Sequence, residues 1–223
     1  MRFLIFVTLL FIFTQTAFAA VVSRNTGKNQ IKKAGEDWKP LSTWASVDAG
    51  DRIKTGLLGL VHVKFYENVI KISPNTELLI ENLTPGEEPM VVVVQSGFAW
   101  SSVKNLRSSP DFKVKTPTAV AGIRGTKFGV GESSDDSLFC VCEGIVRVTC
   151  NIKDHDIGKG ICMETNKGDM QAKNDYGMKL KGGRATKSFK EMAEQRPLYK
   201  NCLQCHDSKE TQYDWSSFNG DFF

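Results

Sequence analysis

The sequence predicts an all-β protein, a twisted β-solenoid-like stack or a β-sandwich, followed by a short helical C-terminal segment. Three observations carry this expectation. His62, Lys64 and Tyr66 alternate with Val61, Val63 and Phe65, the period-two pattern of a strand with one buried face. The apolar runs 69–72, 78–80 and 91–94 are rich in β-branched residues and are each bounded by Asn, Pro or Gly. Turn punctuation at Ser73-Pro74-Asn75, at Pro85-Gly86 and from Gly122 to Gly125 separates strands spaced every ten or so residues, while helical periodicity is absent between Val21 and Lys181.

In chain order, the first element is a leader. Met1 and Arg2 precede an apolar run from Phe3 to Phe13 that leads to Ala17-Phe18-Ala19, so residues 1–19 read as a signal peptide cleaved near Ala20. The run is shorter than the roughly 20 residues a spanning helix needs. Ala20 is not a cysteine, which excludes lipid attachment there, and no later segment is apolar enough to span. The expected location is therefore periplasmic or secreted. Within the 223 residues, 41% are hydrophobic and 24% charged, enough apolar material for a core, so whole-chain disorder, collagen-like and multi-span membrane classes are excluded. The net charge of +4 is too small to imply a nucleic-acid partner.

A β domain is expected over residues 20–181, and its later strands carry four of the six cysteines. Cys140 and Cys142 are two apart and face the same side of a strand; Glu143-Gly144 reads as a tight turn into the strand that ends at Cys150. A hairpin centred near Asp156 would set Cys150 opposite Cys162. In an exported chain the four are expected to form disulfides rather than a zinc site, since none of their spacings is C-x-x-C and their pairing is open among three arrangements.

The stretches Trp38-Lys39-Pro40-Leu41, Gly50-Asp51-Arg52-Ile53-Lys54-Thr55-Gly56, Val63-Lys64-Phe65 and Ile72-Ser73-Pro74-Asn75-Thr76 precede a block running Thr116-Pro117-Thr118-Ala119-Val120-Ala121-Gly122-Ile123-Arg124-Gly125-Thr126-Lys127-Phe128. Together they closely resemble the FecR domain family, over roughly residues 21–150. Glu67-Asn68-Val69 stands where that family has D-G-S. The resemblance implies an extracytoplasmic, twisted, solenoid-like β domain acting as a binding, scaffolding or sensing module. Sensor members carry a transmembrane helix and a cytoplasmic sigma-regulator segment ahead of this domain; with neither here, the protein is not expected to carry a signal through a membrane itself. Arg124, between Gly122 and Gly125, is expected to plug loop carbonyls with its five donors rather than to bind an anion.

Residues 182–223 change character. Helix formers from Lys187 to Arg196 stop at Pro197, and Cys202-Leu203-Gln204-Cys205-His206 follows. C-x-x-C-H is the haem c attachment pattern: two thiols one helical turn apart bond the two vinyl groups of one macrocycle, and the adjoining imidazole ligates its iron. In a chain with 6 Cys and 3 His, about 0.002 such windows arise by chance. The rivals are a redox disulfide between Cys202 and Cys205, which lacks a βαβ context, and zinc, which lacks a fourth ligand at finger spacing. Tyr199, Asn201 and Asp207 around the motif resemble small c-type cytochromes, yet only seventeen residues follow His206 and no Met follows Met192. A sixth ligand would come from Met192, Met178, Met170, Met163 or His155, from a partner, or from solvent.

The tail carries Tyr213, Trp215, Phe218, Phe222 and Phe223, which would cover a haem face, dock a partner or pack back on the β domain. Nine basic residues against four acidic ones between Lys167 and Lys200 read as a solvated face, with an anionic envelope partner as the alternative. No G-x-S-x-G, H-E-x-x-H or phosphate loop occurs, and no enzyme is expected. Two functions follow: an exported FecR-like module with one covalent haem for single-electron transfer or haem-based sensing, with an envelope or redox protein as its partner; or a haem-free FecR-like scaffold or ligand-binding protein with structural disulfides.

Overall fold

The structure, a computed structural model, describes residues 20–171 apart from 84–87, 105–111, 135, 160 and 167–168. The signal-peptide reading of 1–19 and the helical reading of 182–223 lie outside these residues. All regular structure among the described residues is strand, numbered β1 to β17 in chain order.

Seventeen strands form two layers. Layer one runs β4 (Ser46–Val47), β1 (Ala20–Thr26), β6 (Leu60–Phe65), β7 (Asn68–Ile72), the second half of β9 (Met90–Val103), β12 (Thr126–Ser133), β13 (Asp136–Glu143), β16 (Cys162–Asn166) and β17 (Asp169–Gln171). Layer two runs β3 (Trp38–Pro40), β2 (Asn29–Lys32), β5 (Arg52–Thr55), β8 (Glu77–Asn82), the first half of β9, β10 (Phe112–Lys115), β11 (Val120–Ile123), β14 (Ile145–Cys150) and β15 (Lys153–Gly158). Every ladder is antiparallel except β9 with β10. Neither layer closes on itself.

The chain deals hairpins alternately to the two layers: β6–β7 to layer one, β10–β11 to layer two, β12–β13 to one, β14–β15 to two and β16–β17 to one. Like hairpins then stack, β11 on β14 and β13 on β16. The all-β expectation thus holds among the described residues, as hairpins stacked in two open layers. The core between the layers takes Val61, Val63, Phe65, Ile70 and Ile72 from one side and Ile53, Leu78, Ile80, Val92, Val94, Val146 and Val148 from the other. Each such side chain contributes about 1.5–3 kcal/mol on burial. The alternation at 61–65 points its valines inward as expected, whereas the run 91–94 is buried on both faces, as an unbroken apolar run requires.

Crossing between layers needs sharp corners, and β9 makes the longest. Its residues up to Ser96 pair with β8 in layer two, and from Gly97 onward they pair with β12 in layer one. Gly97 takes φ +88°, and a Cβ there would stand 2.6 Å from both the Asn75 carbonyl oxygen and Thr76 Cα. Two hydroxyls fix the same corner. Thr76 Oγ1 accepts from the Phe98 N–H (2.9 Å), and Thr55 Oγ1 donates to the Ser73 carbonyl (2.6 Å) while accepting from the Thr76 N–H (2.9 Å). Thr55 and Thr76 come from the two resemblance stretches K-T-G and S-P-N-T, which thereby acquire a structural reason.

Three local expectations are corrected. Glu143-Gly144 does not turn a hairpin: Gly144, at φ +84°, hands the chain from β13 in layer one to β14 in layer two. Asp154-His155-Asp156 is strand, not turn; the hairpin closes at Asn151-Ile152, with Cys150 opposite Lys153. Both turn residues have positive φ, 44° and 61°, the two-residue geometry that suits the twist of the flanking strands. Cys150 is consequently not opposite Cys162, which instead faces Cys140 across β13 and β16.

Candidate functional site

Residues that alternate with the core on layer one point to its outer face. There the registers line up one cross-strand row: Arg24 beside His62, His62 beside Lys71, Lys71 beside Trp100, Trp100 beside Gly129, Gly129 beside Cys140 and Cys140 beside Cys162. The neighbouring row brings Phe98, Gly131 and Leu138 together. Phe98 and Trp100 pack with ring centroids 5.1 Å apart at 55°. They lie across the backbone of β12, since a Cβ at Gly129 would be 2.7 Å from Phe98 Cζ and 2.9 Å from Trp100 Cζ3. The result is an apolar strip at the centre of the face with cations on one side of it.

His62 sits among those cations. Burial first, then the charges of Lys71 and Arg24, lower its pKa from 6.5 to about 4, so the imidazole is neutral at pH 7. Its Nε2 is buried without a hydrogen-bond partner among the described residues. Because the folded pKa is below the unfolded one, the unfolded chain takes up the proton first, and stability present above pH 6.5 is lost as pH falls toward 4. We expect denaturant midpoints to reveal about 2 kcal/mol lost to this group between pH 7.5 and 4.5. His62→Gln should flatten that part of the profile; an unchanged slope would assign it to other groups.

At the other end of the row the Cys140–Cys162 disulfide joins β13 to β16, with Cα atoms 4.2 Å apart. Cys142 is half-buried at the end of β13, and the buried Cys150 directs its thiol at the Thr118 carbonyl, 3.4 Å away. Of the four cysteines expected to be structural, the fold thus brings together Cys140 and Cys162, and it separates Cys150 from Cys162. Cys202, Cys205 and His206 lie outside the described residues. Of the sixth-ligand candidates, Met163 is buried in the core and His155 is half-buried in β15, while Met170 lies in β17 and Met178 and Met192 fall outside. Among the described residues no three His, Cys, Asp or Glu side chains are grouped to hold a metal.

The most specific stretch of the resemblance serves the fold. Thr116 and Thr118 enter a buried cluster in which Ser137 Oγ lies 2.6 Å from Glu132 Oε2, 2.7 Å from Thr116 Oγ1 and 2.6 Å from Thr118 Oγ1, with Thr165 Oγ1 3.0 Å from Thr118 Oγ1. A satisfied network of this kind fixes one packing of β12, β13 and β16 against the loop before β11. Arg124 is exposed, which overturns the expectation that it plugs the loop. Asp51 of the G-D-R-I stretch is buried and accepts from Lys33 Nζ (2.7 Å) and the Asp48 N–H (2.8 Å). Burial alone would lower the Lys33 pKa, but its bonds to Asp48 and Asp51 outweigh that and hold it above the usual lysine value.

Sequence reasoning missed the outer-face row. The available signal was F-x-W at 98 and 100 facing G-x-G at 129 and 131, but it becomes legible only once β9 and β12 are known to pair.

No curated protein matches the chain. Two crystal structures, at 1.65 and 2.50 Å resolution, of a protein assigned as an anti-sigma factor from Parabacteroides distasonis are similar at 17% identity with a TM-score of 0.48. Each match covers 53% of this chain and 57% of that one, so the likeness spans little more than half the length of the relative. Residues 51–147, from the head of β5 into β14, match the family model described as FecR protein, and over that stretch the chain is FecR-like.

Proposed function

We propose that the chain is an extracytoplasmic FecR-type binding and sensing module that carries one covalent haem c, bonded through Cys202 and Cys205 with His206 as the proximal ligand. The C-x-x-C-H spacing is the observation that carries the haem reading. The Cys140–Cys162 disulfide supports an oxidising compartment, the same one in which c-type haem attachment to an exported chain would take place. The FecR match over residues 51–147 supports the sensing module, and the regulatory description of the Parabacteroides relative lies in the same direction.

The haem would supply one-electron chemistry or a ligand-binding iron; the chain's part is to anchor it, exclude water and set its ligands. His62 is the described imidazole whose form suits a ligand, neutral at pH 7 with Nε2 unpartnered among the described residues. The second reading, a haem-free scaffold, is favoured by the disulfide and the satisfied hydroxyl cluster, both of which make a rigid platform without a cofactor.

Export in a host with haem-maturation machinery separates the two. The purified chain should keep a haem-sized mass after denaturation and give the pyridine haemochrome spectrum of a c-type haem. Cys205→Ala should abolish both signals while leaving the β domain folded. A wild-type chain recovered without haem, with Cys202 and Cys205 joined to each other, would leave the scaffold reading standing.

A further inference from the structure

Glu132 is 3% exposed, a carboxyl group carried into the interior by β12. It stands opposite Ser137 of β13, and Ser137 stands opposite Thr165 of β16. The loop from β10 to β11 brings Thr116 and Thr118 to the same place from layer two. Five contacts here each require a proton between two oxygens: Ser137 with Glu132, with Thr116 and with Thr118, Thr118 with Thr165, and Thr116 with the Ala119 carbonyl at 3.3 Å. A hydroxyl donates once, so the four hydroxyls supply four of the five. The N–H groups of Ala119 and Ser137 donate to Thr116 Oγ1 and Thr165 Oγ1, and place no proton between the side-chain oxygens.

We propose that Glu132 is a proton-binding site whose occupancy switches the Thr116 hydroxyl between Ser137 and the Ala119 carbonyl. With Glu132 ionised, Ser137 donates to the carboxylate and accepts from Thr116 and Thr118, and the Ala119 carbonyl keeps the Thr116 N–H, 2.9 Å away. With Glu132 protonated, the acid donates to Ser137, Ser137 to Thr116 and Thr116 to Ala119, and all five contacts are made. Only the Glu132 O–H bond forms or breaks, its proton exchanging with water; Ser137 and Thr116 keep theirs and rotate. A buried carboxylate and a buried carboxylic acid both need partners, and this chain of hydroxyls serves each in turn.

The other titratable groups on the surrounding elements are engaged or turned away. The Cys150 thiol of β14 donates to the Thr118 carbonyl, and Lys115 at the end of β10 pairs with Glu81. Asp136 and Glu164 alternate with Ser137 and Thr165 and so point to the opposite face of layer one, while β9 presents Gly97 beside Glu132. The loop at 116–119 belongs to layer two, and β12, β13 and β16 belong to layer one, so proton binding changes what ties the layers together at this end. The switch needs no haem and stands or falls apart from the haem reading.

Carbon-13 NMR of the whole exported chain, labelled at glutamate Cδ and at alanine carbonyls, tests it. The Glu132 carboxyl and the Ala119 carbonyl should titrate with one midpoint within the pH range in which the protein stays folded. In Glu132→Gln, whose side-chain N–H donates to Ser137 as the acid would, Ala119 should be held at its low-pH position with no midpoint. In Thr116→Val, which removes the switched hydroxyl and keeps its shape, Glu132 should still titrate while Ala119 no longer follows. This second variant carries the test by itself if Glu132→Gln does not fold. The proposal is overturned if Glu132 keeps one protonation state throughout that range, or if Ala119 titrates in either variant as it does in the wild type.

Discussion

Replacing Gly97 by alanine should destabilise the protein by about 4 kcal/mol and lower its melting temperature by roughly 10 °C. Two costs add there. At φ +88° an L side chain pays about 1–2 kcal/mol for the left-handed backbone. The new Cβ also meets the Asn75 carbonyl and Thr76 Cα at 2.6 Å, and those are backbone atoms held by the Thr55 and Thr76 hydroxyls, so they cannot yield cheaply. Three further alanines apportion the effect. Gly35 has φ +76° and open space, so Gly35→Ala reads the backbone cost alone. Gly129 has no positive φ but abuts Phe98 and Trp100, so Gly129→Ala reads crowding by side chains alone. Gly158 has neither and should be nearly silent. If thermal unfolding ranks Gly97→Ala with Gly35→Ala, the corner is looser than its geometry implies.

Cutting the Cys140–Cys162 bridge should cost about 3 kcal/mol, the loop-closure entropy of a link across 22 residues. The expectation is for Cys140→Ala/Cys162→Ala to melt roughly 10 °C below the wild type under oxidising conditions. Reductant should lower the wild type toward the variant and leave the variant unmoved. The bridge spans the last hairpin of layer two and pins β16 to β13 on the outer face, so its loss should first free β16 and β17. Hydrogen exchange would show that order as early loss of protection at Met163 and Glu164, with β6 and β7 unchanged. Coincident exchange in all these strands would mean that the edge does not open by itself.

How far the sequence reached follows from what each signal depends on. Strands were legible where alternation or β-branching is local, as at 61–65 and 69–72, and the all-β expectation holds over the described residues. The dealing of hairpins between two layers was not legible, because a corner glycine such as Gly144 and a hairpin glycine look alike until the partner strand is known. The Cys140–Cys162 pairing, open among three arrangements in the sequence, was not legible for a definable reason. The polar Asp154-His155-Asp156 reads as a turn, while the true turn contains Ile152, a β-branched residue at φ 61° and fully exposed, which carries no turn signal in its chemistry. The drying of the outer face was hidden because Phe98 and Trp100 alternate with the core residue Ala99 and the buried Ser101, so both faces read as apolar at once. The C-x-x-C-H spacing at 202–206 is the reverse case, a signal carried entirely by the sequence.

The single backbone of β9 enters both layers, and this bears on how the module could respond to a ligand. Packed layers ordinarily accommodate a load by sliding over one another a little at a time. Here one covalent chain, clamped at Gly97 and hydrogen-bonded to β8 and β10 on one side of the bend and to β7 and β12 on the other, nails the two layers together at mid-span. Shear is blocked at that point. A push on the outer face near Trp100 would reach layer two as a tilt about β9, which makes β4, β3, β15 and β17, the outermost of the described strands, the places where displacement is largest.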